Sequence, residues 1–261
     1  MEKLIEFKST NFAYDASNAF NDFNMEIMES EIITLIGPSG SGKTTLLKML
    51  VHKLPNDSVY YKGIPIKQSN IDEIRNNVVV VFDSGIISRS VEEEIKRFAR
   101  KIKLKESDID ERYYELDKTF NIDRISKIDP KRLSHEEEYL VKILRYLIIK
   151  PKFMAIDNIL SNLSKNDIRL FFNFVKKNKM AVLNVTTDLD LSLYGDKLYV
   201  LENFVLIMEG NTLSVLQTDT LLKRLGFKLP LAVDLSIELG HYDVLKKIYT
   251  ERDKLVNALW K

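Results

Sequence analysis

The sequence of 261 residues contains no cysteine and only three histidines. Without cysteine the chain cannot form a disulfide, a thiolate nucleophile or a cysteine-ligated zinc site, which fits a reducing compartment. The histidines, His52, His135 and His241, are far apart in sequence. Their scarcity and spacing argue against a metal site built from histidine and against a Ser-His-Asp triad.

Neither sign of charge predominates, and no apolar run is long. Lys and Arg number 39 against 38 Asp and Glu, a formal net charge of +1, which argues against the broad basic surface of a nucleic-acid binder. The most apolar stretch, residues 139–149, is interrupted by Lys142 and Arg145 and is too short to cross a bilayer. We therefore expect a chain that is soluble by itself and that reaches a membrane only through a partner.

Short apolar runs alternate with helical patterns along the chain, which predicts an α/β fold with a sheet flanked by helices. Residues 78–82 show no alternation, which is typical of a strand covered on both faces. Residues 90–132 have a charged, helical periodicity and predict a helical insertion. Strands are predicted at residues 4–8, 23–27, 32–36, 59–61, 78–82, 153–156, 181–185, 197–201 and 205–208.

One of these strands leads into a glycine-rich segment that precedes a helix-like run. The segment matches G-x-x-x-x-G-K-[ST], the phosphate loop. Its glycines let backbone N–H groups point at phosphate oxygens, and the following helix adds its positive end. Lys43 would contact the β- and γ-phosphates, and the Thr44 hydroxyl would ligate Mg²⁺. The loop residues are Gly37, Pro38, Ser39, Gly40, Ser41, Gly42, Lys43, Thr44 and Thr45.

Residues 10–45 resemble the opening of an ATP-binding-cassette (ABC) ATPase, and later motifs follow in that family's order. The resemblance implies a P-loop NTPase fold, with a mixed β core and a helical subdomain at about residues 90–150. It also implies ATP and Mg²⁺ as cofactors. Tyr14 stands where the family stacks an aromatic ring on adenine, and Ser134 falls in the signature motif. Asp157 ends an apolar strand, as the Mg²⁺-binding carboxylate of a Walker B motif does.

The C-terminal residues point to one group within the ABC ATPases. Residues 221–230 and 251–260 are similar to the C-terminal helical region of energy-coupling factor transporter ATPases. That similarity implies a cassette at residues 1–218 and a helical extension at 219–261. It also implies a location on the cytoplasmic face of the cell membrane, a second ABC ATPase subunit in a homodimer or heterodimer, a membrane-embedded scaffold and a substrate-binding subunit. No nucleic acid is expected as a partner.

Four motifs depart from the family pattern. Asp83 replaces the glutamine that follows the buried strand, Asn158 the catalytic glutamate and Thr187 the switch histidine, while His135 and Glu136 replace two signature glycines. An asparagine amide cannot accept a proton, and loss of a positioned base typically costs roughly 10²–10⁴ in rate. The Asp83 carboxylate could still ligate Mg²⁺.

These departures leave three functions open and make enzyme activity an unsettled question at this stage. The first is an ATP-binding importer subunit with weak or no hydrolysis of its own. The second is an active transport ATPase in which a substitute group such as Asp83 serves as base or Mg²⁺ ligand. The third is a non-transport module for assembly or regulation that binds ATP as a structural ligand.

Overall fold

The computed structural model describes residues 2–15 and 18–260. Within them, the strands form a six-stranded sheet and a four-stranded sheet. The strands are β1 (Lys3–Ala13), β2 (Ala19–Met28), β3 (Ile32–Ile36), β4 (Val59–Tyr61), β5 (Ile64–Pro65), β6 (Val78–Val81), β7 (Phe153–Asp157), β8 (Ala181–Val185), β9 (Lys197–Glu202) and β10 (Val205–Asn211).

The six-stranded sheet carries the segments that the sequence marks as functional. Its order is β10-β9-β3-β8-β7-β6, in which β9 to β6 are parallel and β10 is antiparallel. The register places Leu35 of β3 opposite Val185 of β8, and Val185 opposite Asp157 of β7. Because parallel strands end on the same edge of a sheet, the segments that follow β3, β7 and β8 meet there.

Helices cover the sheet as the sequence predicts. Helices α3, α4 and α5 lie between β6 and β7 in the chain, and one buried apolar cluster joins them and α6 to the six-stranded sheet. The helices are α1 (Lys43–Leu50), α2 (Ile71–Ile74), α3 (Val91–Lys101), α4 (Glu106–Phe120), α5 (His135–Leu147), α6 (Lys165–Lys177), α7 (Thr212–Leu216), α8 (Asp219–Arg224), α9 (Leu231–His241) and α10 (Arg252–Leu259).

The second sheet, in the order β2-β1-β4-β5, is antiparallel throughout. A second apolar cluster contains residues of this sheet, of α1 and of the larger sheet. Strand β6 contributes to both clusters, since Val79 and Val81 belong to the first and Val78 and Val80 to the second. This confirms that the non-alternating run forms a strand covered on both faces. All nine predicted strands are present, and β5 was missed because two residues carry no periodic signal.

The C-terminal helices pack at the other end of the larger sheet. A third apolar cluster joins Phe227 and Leu229 to Ile36 of β3 and to Leu198 and Val200 of β9. The division into a cassette and an extension at residue 219 stays a prediction. None of the helices in the described part of the chain combines the length and the apolar character that a membrane span requires.

Candidate functional site

The phosphate loop connects the end of β3 to the start of α1. Gly42, the residue before α1, has φ of +104°, a backbone conformation that glycine adopts readily. A Cβ atom there would lie 2.7 Å from the ring of Phe20 and 2.8 Å from that of Phe204. At Gly37 a Cβ atom would lie 2.1 Å from the carbonyl oxygen of Leu201. Packing therefore requires glycine at positions 37 and 42, and the backbone conformation favours it at position 42 as well.

Lys43 is held inside the loop by three acceptors. Its Nζ donates to the carbonyl oxygens of Gly37 and Pro38, both at 2.8 Å, and to Ser41 Oγ at 3.1 Å. Burial lowers the pKa of Lys43, and the negative charge of Asp157 opposes that shift. The loop thus fixes the ammonium group among its own carbonyl groups, at the base of the cavity described below.

Thr44 and Asp157 meet across the strand ends. Thr44 Oγ1 donates to Asp157 Oδ2 at 3.0 Å. Burial raises the pKa of Asp157, whereas the Thr44 hydrogen bond and the Lys43 charge lower it. A hydroxyl and a carboxylate are ligands that Mg²⁺ accepts. No group of three or more acidic or histidine side chains suited to a metal occurs in the part of the chain that the structure describes. The pair fits a Mg²⁺ ion that would take its other ligands from phosphate oxygens and water.

These residues surround a cavity of about 500 Å³ at the strand ends. Tyr14 lies at its rim, about half exposed, with its hydroxyl accepting a hydrogen bond from Thr45 Oγ1 at 3.4 Å. Of the residues predicted to bind nucleotide or to replace catalytic groups, the structure gathers here Tyr14, Ser39, Gly40, Ser41, Gly42, Lys43, Thr44, Thr45, Asp157, Asn158 and Thr187. Gly37 and Pro38 instead line a neighbouring cleft.

Comparison with known proteins identifies the protein family of the chain. The model of the family described as ABC transporter matches residues 20–161, more than half of the chain. The chain belongs to this family.

The relatives of this cassette include proteins from several bacteria. It is 27% identical to the energy-coupling factor transporter ATP-binding protein EcfA1 of Oenococcus oeni, over 99% of this chain and 98% of that protein. It is 26% identical to the EcfA protein of Malacoplasma penetrans, over 100% and 94% of the two chains. Its fold is similar to that of cbiO1 from Clostridium perfringens, part of the cbiONQ ABC transporter complex. The TM-score is 0.76 at 23% identity, over 93% and 99% of the chains.

Two departures from the ABC pattern lie at the cavity. Asn158 directly follows Asp157 with φ of +52°, and its backbone N–H donates to the Val185 carbonyl oxygen at 2.8 Å. Asparagine tolerates this left-handed conformation better than most residues. Thr187 follows β8, and both side chains are exposed. The site thus presents an amide and a hydroxyl at the two positions where the family has a carboxylate and an imidazole.

The third departure, Asp83, is held elsewhere. Lys142 of α5 donates to Asp83 Oδ1 at 2.7 Å, and the Tyr139 hydroxyl donates to Oδ2 at 2.9 Å. The hydrogen bond from Lys142 keeps the pKa of Asp83 below its usual range. The structure does not bring Asp83 into the nucleotide cavity, because α5 engages both of its carboxylate oxygens. Its service as base or Mg²⁺ ligand stays a prediction that this geometry does not favour.

The rest of the segment that follows β6 is tethered in the same way. Arg145 donates to Ser84 Oγ at 2.6 Å and to the Gly85 carbonyl oxygen at 3.2 Å. Ser88 donates to Glu94 Oε2 at 2.8 Å. Arg145 and Glu94 form a buried ion pair with an N–O distance of 3.0 Å. Residues 83–88 are therefore attached to α5 and α3.

The fourth departure lies at the start of α5, where Ser134 is the N-cap. Glu137 N–H donates to Ser134 Oγ at 3.3 Å, and Ser134 N–H donates to Glu137 Oε2 at 3.0 Å. This is a capping box. Sequence reasoning missed it, although Ser-x-x-Glu was the signal. The glutamates Glu136, Glu137 and Glu138 occupy the first turn. Their charge offsets the positive end of the helix, so α5 offers an anion little attraction.

Phe204 is a site residue that no sequence motif marks. It lines the cavity, its ring lies 4.9 Å from that of Phe20, and its backbone N–H donates to the Ser41 carbonyl oxygen at 3.0 Å. It lies in the turn between β9 and β10, where no motif marks it. Phe204 therefore supports the phosphate loop from a turn that the motif does not include.

Proposed function

We propose that this chain is the ATP-binding subunit of an energy-coupling-factor-like importer, and that it binds Mg-ATP but hydrolyses it weakly by itself. One observation carries the proposal. Lys43, Thr44 and Asp157 converge on the cavity, whereas the family's catalytic glutamate and switch histidine are replaced there by Asn158 and Thr187, which cannot act as a base at neutral pH.

Nucleotide binding would use the loop as the family does. Backbone N–H groups of residues 39–44 and the start of α1 would surround the phosphates, and Lys43 would leave its carbonyl partners to contact them. Thr44 and Asp157 would hold Mg²⁺, which would offset the negative charge of the phosphates. Tyr14 would offer its ring to the base, which requires only a π face.

We expect weak hydrolysis because neither Asn158 nor Thr187 can accept a proton from the attacking water. The Asn158 amide can hold a water molecule but cannot take its proton, which costs roughly 10²–10⁴ in rate. The Thr187 hydroxyl can donate one hydrogen bond but carries no charge to stabilise the transition state. These losses overlap and are not multiplied. A chain of this kind would hold ATP much longer than an intact cassette does.

A second ATPase subunit would form a dimer with this chain in the proposed importer. The relatives named above are called energy-coupling factor transporter ATP-binding proteins, which supports an importer. In the family's dimer the signature region faces the other subunit's nucleotide. Here that region carries Glu136 and its two neighbouring glutamates. We infer a heterodimer in which the other subunit supplies an intact signature and a catalytic glutamate.

A scaffold contact is best accommodated by a groove of about 760 Å³ beside the edge strand β6. Its apolar side includes Val80, Phe82 and Phe98. Its exposed basic side chains are Lys53, Lys101, Lys103 and Arg75, the last of which pairs with Asp72, another lining residue. This combination fits an amphipathic scaffold helix whose apolar face is flanked by acidic residues. Reversing Lys101 and Lys103 to glutamate should abolish co-purification with the scaffold, and an unchanged complex would contradict this docking site.

The decisive experiment is titration calorimetry of the chain with Mg-ATP, followed by phosphate-release assays. We expect binding with turnover near background. Addition of the second subunit should raise turnover. Brisk hydrolysis by the isolated wild-type chain that is lost in Lys43→Ala would refute the weak-hydrolysis proposal. Absence of Mg-ATP binding would refute the whole proposal.

A further inference from the structure

A cleft of about 440 Å³ lies next to the nucleotide cavity. Thr187 lines both, so the two spaces meet at the position of the missing switch histidine. On one side the cleft is lined by Gly37 and Pro38, whose carbonyl groups hold Lys43. On the other it is lined by residues 225–228, the connection between α8 and α9. A C-terminal segment therefore borders the phosphate loop.

Lys228 is fixed in this cleft by the residues on either side of it. Phe227 and Leu229 are buried in the cluster that also contains Ile36 and Leu189. Ile36 immediately precedes the phosphate loop, and Leu189 lies two residues after Thr187. The backbone of Lys228 is consequently anchored to the same apolar core as the two segments that it faces, whereas its side chain is exposed.

The charge of Lys228 is not used by the fold. In the part of the chain that the structure describes, no ion pair or hydrogen bond engages its Nζ. The cleft contains the carboxylate of Asp188, whose Oδ1 accepts the backbone N–H of Asp190 at 3.0 Å. Lys223, five residues earlier, lies 3.0–3.3 Å from three carboxylates. A lysine ammonium on a flexible stem is a common phosphate ligand.

We propose that Lys228 contacts the terminal phosphate of ATP and replaces the contact that the switch histidine makes in intact cassettes. The inference rests on the proposed function, since it requires ATP in the cavity. The loop between α8 and α9 would then sense whether the third phosphate is present. ADP lacks that phosphate, so its binding should be independent of Lys228.

The test compares Mg-ATP and Mg-ADP titrations of the full-length wild type and Lys228→Met. We expect about tenfold weaker binding of ATP, the loss typical of one charge-assisted contact, and ADP binding within twofold of wild type. Lys246→Met is the matched control, because Lys246 is an exposed lysine of the same C-terminal region. Both of its affinities should stay unchanged. Lys228→Arg should retain most of the preference for ATP.

The other outcomes distinguish failure of the Lys228 contact from failure of the proposed function. An unchanged ratio of ATP to ADP affinity in Lys228→Met would overturn the contact with the terminal phosphate, whether both affinities stay normal or both fall equally. Thermal unfolding of the variant would show whether an equal fall came from failed folding. A wild-type chain that binds neither nucleotide would overturn the proposed function together with this inference. Normal wild-type binding with an unaffected Lys228→Met variant overturns this inference alone.

Discussion

His135 Nε2 lies 3.3 Å from Asn162 Oδ1, which joins the first turn of α5 to the loop that follows β7. The Asn162 amide in turn donates to the Asn158 carbonyl oxygen at 3.1 Å. On its other side the His135 ring packs edge-on against Tyr139, whose hydroxyl binds Asp83. Three positions that depart from the ABC pattern are therefore linked by side-chain contacts.

Lys43→Met should weaken Mg-ATP binding by at least about a hundredfold, because it removes the ammonium that would contact the β- and γ-phosphates. Calorimetry with Mg-ATP measures this directly. Lys53→Met serves as the control, since Lys53 is exposed and lies in the groove beside β6, outside the nucleotide cavity. Equal affinities for wild type and Lys43→Met would show that the loop does not bind the phosphates.

Asn158→Glu should raise the rate of phosphate release at least about tenfold, because a carboxylate can accept the proton of the attacking water. The gain should stay below that of an intact site, since Thr187 is unchanged. Asn158→Gln is the matched control: it has the length of glutamate and must adopt the same left-handed backbone conformation. If the two variants hydrolyse ATP equally slowly, the missing base does not limit the rate.

Asp83→Asn tests whether this carboxylate belongs to the magnesium site. We expect Mg-ATP affinity within twofold of wild type and a loss of up to about 1 kcal/mol in unfolding free energy, because Asp83 is exposed and the buried Lys142 keeps its ion pair with Glu138. Asp157→Asn should instead weaken Mg-ATP binding and reduce the dependence of ATP affinity on Mg²⁺. A comparable loss of Mg²⁺ dependence in Asp83→Asn would place Asp83 at the metal.

Glu94 should make the protein sensitive to acid. Burial raises the pKa of this carboxylate, but hydrogen bonds from Arg97, Ser88 and Arg145 bring it to about 2, below its ordinary value of 4.5. A depressed pKa stabilises the folded state above the unfolded value, and this stabilisation is lost as pH falls from about 4.5 towards 2.

Urea denaturation at pH 7, 5, 4 and 3 checks that dependence. Glu94→Gln should lower the unfolding free energy by about 3 kcal/mol at pH 7, since it leaves Arg145 buried without its countercharge. Below pH 5 its stability should fall less steeply than that of wild type. Glu111→Gln, at an exposed glutamate of α4, should follow the wild-type curve. Parallel curves for Glu94→Gln and wild type would contradict the assignment.

The strands and the phosphate loop could be predicted because their signals are local. About ten consecutive residues are enough to predict the strand at 78–82, and the same holds for the phosphate loop around Lys43. The partners of Asp83 could not be predicted, because Lys142 is 59 residues away and only the packing of α5 brings it near. The capping box at Ser134 has a local signal, Ser-x-x-Glu, but the same residues resemble a signature motif, which predicts a phosphate contact instead.

The cleft that contains Lys228 depends on tertiary packing in the same way. Residues 37–38, 187–189 and 225–228 carry no shared pattern, and they meet because Phe227 and Leu229 enter the core beside Ile36. The sequence therefore identifies which residues could bind a nucleotide, and the fold decides which of them face it.

The anchoring of residues 83–88 attaches this segment to the helical layer through α5 and α3. If those helices tilted over the sheet, the segment would move with them, and Phe82, which lies between β6 and the tethers, would take up the change in backbone angles. A partner bound in the groove beside β6 would contact Phe82 directly.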